Sequence, residues 1–108
     1  MISKHCVNMN TDITNLALTI DLSSVRFLFV LNEHDCVIGV LSQGDIIRAM
    51  VMQVSVSAQE IMETNFYYVK SGYDEDKLRK KMVDDSLIFV PVLDKDMKLI
   101  NVVEIWDL

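Results

Sequence analysis

The stretch Phe27-Leu28-Phe29-Val30-Leu31 returns 62 positions later as Phe89-Val90-Pro91-Val92-Leu93, and reading the two together decides the fold. Carried outward without a gap, the offset also pairs Val7 with Val69, Asp12 with Asp74, Leu16 with Leu78, Ser24 with Ser86, Ile38 with Ile100, Val40 with Val102 and Asp45 with Asp107. In all, 10 identities fall within the 42 aligned positions from His5 to Ile46. Unrelated segments of this length would share roughly two or three. The sequence therefore reads as a tandem duplication.

Each copy has the same internal order. Ile13, Leu16, Ala17 and Ile20 recur at helical spacing, with Asn10, Thr11 or Asp12 available as the cap. In the second copy Leu78 and Met82 form the matching stripe. There Asp74-Glu75-Asp76 fall in the first turn and Arg79-Lys80-Lys81 towards the end, which suits the helix dipole. The apolar runs Phe27–Leu31 and Leu87–Leu93 follow, too short for helices and rich in aromatic and β-branched residues, as expected of strands buried on both faces. Polar turns, Asn32–Asp35 and Asp94–Asp96, lead to second apolar runs, Val37–Leu41 and Leu99–Val103, so each copy should contain an antiparallel hairpin. In the first copy Gly44-Asp45 open a further helix from Ile46 to about Gln53, and Ser57-Ala58-Gln59-Glu60 has capping-box spacing for a short helix through Met62. The expected architecture is α+β, two β-α-β-β-α units with pseudo-two-fold symmetry. The units span residues 1–56 and 57–108, and the final helix of the second is missing.

Composition bounds the function. Of 108 residues, 16 are Asp or Glu and 10 Lys or Arg, giving a net charge of −6. That balance argues against a nucleic-acid surface, which needs a positive stripe to displace counterions. The basic run Lys77–Lys81 lies on an amphipathic helix flanked by acids and reads as a solvated face. No apolar run approaches the roughly 20 residues that span a bilayer. The polar start and the two isolated cysteines fit a cytoplasmic protein with no membrane partner. His5-Cys6 and His34-x-Cys36 match no standard metal spacing, so no metal ligand is assigned. No nucleophile elbow, Walker loop or dinucleotide fingerprint occurs, and the chain is not expected to be an enzyme. Met50, Met52, Met62 and Met82 are expected to fill gaps in a core or a subunit interface, and Trp106 to be buried against a missing helix or a partner.

The order of elements and the string Gly39-Val40-Leu41-Ser42-Gln43-Gly44-Asp45-Ile46 resemble a pair of cystathionine-β-synthase (CBS) domains, a Bateman module. The family marker is Gly, two apolar residues, Ser or Thr, two variable residues and Asp, which Ser42 and Asp45 match. Val90-Pro91-Val92-Leu93-Asp94 is similar to the family's second-strand pattern. The resemblance implies an adenine nucleotide, AMP, ATP or another adenosine derivative, held between the units. Asp45 would accept the ribose hydroxyls and Ser42 would hold phosphate or ribose, with Gly44 and Thr11 beside them. Asp107 would meet a second ribose, and Arg26 a phosphate. A cap on the following helix is the alternative role for Asp45. Ile88 and Phe89 stand where phosphate-binding members often carry His or Arg, leaving the first cleft without an obvious cation, and Glu104 replaces the second marker's hydroxyl. Ser42–Ala49, Glu60-Ile61-Met62 and Val102–Leu108 resemble CBS pairs that precede a sugar-phosphate nucleotidyltransferase. The implied partners are thus a covalently attached catalytic domain under regulation and a second copy, in a homodimer through the CBS helices. The alternative is a ligand-free pair acting as a dimerisation and assembly module.

Overall fold

A computed structural model of the chain describes residues 2–23, 25–53 and 55–107. By packing, the chain divides into two units, residues 3–66 and the residues from Tyr67 onward. In the first unit a 3₁₀ turn, Ile2–His5, leads to β1 (Cys6–Asn8), α1 (Ile13–Ser23), β2 (Phe27–Leu31), β3 (Val37–Ser42), α2 (Gln43–Val51) and α3 (Ala58–Ile61). The second contains β4 (Val69–Lys70), α4 (Glu75–Asp84), β5 (Phe89–Leu93), β6 (Leu99–Glu104) and a 3₁₀ turn, Ile105–Asp107. Each unit has a three-stranded sheet. The first β strand runs parallel to the central strand, which forms an antiparallel hairpin with the third.

The duplication extends to backbone detail. Asp12 Oδ1 accepts the Asn15 N–H at 2.9 Å at the start of α1, and Asp74 Oδ1 accepts the Lys77 N–H at 3.0 Å at the start of α4. Both hairpins slip register after the same strand position, between Val30 and Leu31 and between Val92 and Leu93. Both turns are built on a side-chain oxygen: Asn32 Oδ1 accepts from His34 and Cys36, and Asp94 Oδ1 from Asp96 and Lys98. These bonds, the one to the Lys98 N–H first among them, hold the Asp94 carboxyl below its usual range. Both turns also pass through the left-handed region, at Asp35 (φ 62°) and Met97 (φ 66°).

The central strands supply each core. In the first unit Leu16, Leu28, Val30, Leu41, Ile46 and Ala58 pack together, all but Ile46 with no exposed surface. In the second, Leu78 and Met82 of α4 pack on Val90, Val92 and Val103. Of the other methionines, Met62 is half-buried while Met50 and Met52 are exposed. His5 is buried, stacked on the Phe27 ring at 4.6 Å between centroids. Burial, with the Asp35 charge in second place, pushes the Cys6 thiol up, which disfavours the reactive thiolate.

Two element starts differ from expectation. Helix α2 starts at Gln43, three residues before Ile46, because Ser42 is its N-cap and Asp45 its third residue. Strand β5 starts at Phe89, two residues after Leu87. Ser86 turns at φ 56°, the Leu87 N–H returns to Met82 O at 2.8 Å, and Ile88 is half exposed.

The segment around α3 is bound to the first unit from two sides. Ala58 N–H donates to Thr11 O at 2.8 Å, Gln59 N–H to Met9 O at 3.0 Å, and Ile13 N–H to Val56 O at 3.1 Å. Further on, Val40 and Glu63 exchange both backbone hydrogen bonds at the edge of β3. The Ser57 N–H and hydroxyl both donate to Glu60 Oε1, which holds the Glu60 carboxyl below its usual range.

Candidate functional site at the β3–α2 junction

The site is built by the turn from β3 into α2. Ser42 Oγ accepts the Asp45 N–H at 3.1 Å, and Asp45 Oδ2 accepts the Ser42 N–H at 2.9 Å, a reciprocal capping box. Asp45 Oδ1 accepts from Arg48 Nη2, one turn along the helix. The Asp45 side chain is 28% exposed and that of Arg48 69%, so the carboxylate is a partly sheltered acceptor with an exposed cation beside it. The junction is closed from behind by the Gln43 N–H, which donates to Arg26 O at 2.9 Å. The Gly44 N–H, second in the helix, has no intrahelical acceptor to meet. A Cβ at Gly44 would lie 3.3 Å from Arg48 Nη1 and 3.7 Å from Ser42 Oγ, so these side chains flank a bare stretch of backbone.

The second unit repeats the backbone and changes the chemistry. The Ile105 N–H donates to Ile88 O at 2.9 Å, the same bond at the same offset, and Phe89 pairs with Glu104 as Phe27 does with Ser42. Glu104, Trp106 and Ile88 replace Ser42, Gly44 and Arg26. Asp107 ends a 3₁₀ turn, and Trp106, expected to be covered by a further helix or a partner, is 64% exposed in the single chain.

The structure thus brings Ser42, Gly44 and Asp45 together and adds Arg48, the cation that sequence reasoning missed. The spacing Asp45-x-x-Arg48 carried the signal, since residues three apart face each other on a helix. Thr11 is half-buried and tied by its backbone to Asn8 and to α3. Arg26 is exposed and lines a groove of about 430 Å³ with Asp21, Gln43, Ile46 and Met50. At 100° per residue these α2 positions lie on the opposite flank of the helix from Asp45 and Arg48.

Comparison with known proteins agrees with this architecture. The CBS domain family matches residues 1–52 and again 58–108. The chain belongs to the CBS domain family. CBS pairs are regulatory, non-catalytic modules. This pair is 28% identical, over 87 residues, to the magnesium transporter MgtE of Thermus thermophilus, covering 81% of the chain but 19% of the transporter. It therefore spans about a fifth of the curated relative it matches. The cytosolic domain of the Mg²⁺ channel MgtE in complex with ATP superposes with a TM-score of 0.83 at 22% identity, over 94% of this chain and 42% of that one. The CBS domain pair of protein MJ0100, in complex with 5′-methylthioadenosine and S-adenosyl-L-methionine, gives 0.80 at 22% identity, over 94% and 82%. At these identities the likeness is one of fold. Among the described residues of this CBS pair, no helix is long and apolar enough to cross a membrane.

Proposed function

We propose that this CBS pair is a regulatory module that binds an adenosine-type ligand at the β3–α2 junction of its first unit and biases a covalently attached domain. One observation carries the reading: the Asp45 carboxylate, fixed by the Ser42 N–H and Arg48, sits at a helix start beside the bare backbone of Gly44. A carboxylate in that setting can accept both hydroxyls of a ribose, while the helix start favours an anionic group. The solved relatives bound to ATP and to S-adenosyl-L-methionine support the ligand class. Binding regulates the attached domain only through different affinities for two of its states. Our choice for that domain is a sugar-phosphate nucleotidyltransferase, on the similarity of Ser42–Ala49 to pairs that precede one.

Calorimetric titration with AMP, ATP, S-adenosyl-L-methionine and 5′-methylthioadenosine tests the reading. Asp45→Asn keeps an oxygen to accept the Ser42 N–H and removes the charge. It should weaken binding about tenfold, the low end for hydrogen bonds to a charged group. Unchanged affinity removes Asp45 from the site, and no binding of any of the four ligands by the unsubstituted chain removes the function.

A second reading, assembly through a homodimer, rests on the exposed apolar groups Leu18 and Leu22 of α1 and Ile47 and Met50 of α2, the last two bordering the groove. It predicts a dimer by sedimentation equilibrium that Ile47→Lys converts to monomer. A monomeric unsubstituted chain at all accessible concentrations defeats it.

A further inference from the structure

We infer that Arg48 makes the first unit's site select adenosine ligands that carry an anionic 5′ group over those that do not. This rests on the ligand class and site of the preceding section and adds the residue that sets the preference. The chain carries a net charge of −6, and Asp45 itself would repel a phosphate held close to it. The junction therefore needs a cation on its own helix. Arg48 supplies it: one Nη is bound to Asp45 Oδ1, and the other lies 3.3 Å from the point where a Cβ of Gly44 would stand. The guanidinium thus reaches back along the first turn to Gly44, a residue whose N–H has no intrahelical acceptor.

The chemistry of the fork allows two partners at once. A guanidinium has five N–H donors, and among the described residues the ion-pair partner of this one is Asp45. The side chain as a whole is 69% exposed, so a ligand can approach its remaining donors. Exposed ion pairs are weak, so turning part of the fork towards a ligand costs little, whereas a guanidinium–phosphate contact is charge-assisted and can be bidentate. With a ribose diol on Asp45, the 5′ substituent is the ligand's only group whose charge varies among AMP, adenosine and 5′-methylthioadenosine. Arg48 rewards the anion and gives the neutral thioether nothing.

Affinities of the 108-residue chain for AMP and 5′-methylthioadenosine, measured side by side with Arg48→Ala and Arg48→Lys, test this. The unsubstituted chain should prefer AMP by about tenfold, Arg48→Ala should abolish the preference by losing more affinity for AMP than for 5′-methylthioadenosine, and Arg48→Lys should retain part of it. Alanine is the best helix former, so the exposed substitution leaves α2 intact. An AMP preference unchanged in Arg48→Ala overturns the inference and leaves the site standing. Equal loss of both ligands in Arg48→Ala also overturns it, since Arg48 would then act only by holding Asp45. Failure of both ligands to bind the unsubstituted chain overturns the proposed function, and this inference with it.

Discussion

Leu28→Ala should destabilise the chain by about 2–5 kcal/mol, the range for emptying a fully buried leucine site. Leu28 has no exposed surface, lies in the central strand β2 and pairs across the hairpin with Leu41, which is equally buried. Its neighbours in the core come from α1 (Leu16), α2 (Ile46) and α3 (Ala58), so collapse into the cavity would have to move elements on several sides. Domains of this size are stable by only about 5–15 kcal/mol, so a loss of that order is a large fraction of the whole. Urea unfolding followed by far-ultraviolet circular dichroism measures it. A loss below about 1 kcal/mol would mean that the first unit repacks freely and that its core is not close-packed.

Gly39→Val should cost about 3 kcal/mol and release the segment around α3. A Cβ at Gly39 would lie 2.4 Å from Met62 Sδ, 2.7 Å from Met62 Cγ and 3.0 Å from Met62 Cβ, so the collision involves the whole side chain rather than its flexible tip. Overpacking of this kind typically costs 1–3 kcal/mol, and valine adds branches that point into the same space. Relief requires Met62 to leave β3, and the paired hydrogen bonds between Val40 and Glu63 would go with it. Hydrogen exchange should therefore show the Val40, Met62 and Glu63 amides losing protection. Retained protection at Glu63 would show that the strand edge holds without the Met62 contact.

The duplication and both hairpins were legible because they rest on strand-length apolar runs and polar turns, each repeated at one offset. Asp12 was legible as one of three candidate caps, whereas Asp74, read as a first-turn acid, is the N-cap of α4. The start of α2 was misread because its apolar period begins at Ile46, while the capping box at Ser42 closes with Asp45 rather than the commoner Glu or Gln. Ile88 looked like strand by hydropathy, and the left-handed turn at Ser86 that excludes it leaves no mark in composition. At the site, Ser42, Gly44 and Asp45 were readable because they are neighbours in sequence. Arg48 was missed because the cation was sought before the strand proline rather than one helical turn after the carboxylate. The contact of Gly39 with Met62 joins residues far apart in the chain, and no local pattern announces it.

The two-sided attachment of residues 56–63 bears on how such a chain can be inherited. By sequence, residues 57–63 open the second copy; by bonding, they complete the first. A recombination event that deletes or transplants the second copy at residue 57 would carry away α3 and uncover the β3 edge at Val40. The copies are not interchangeable beads: a cut that keeps the first unit's bonding whole falls after Glu63 rather than at the repeat.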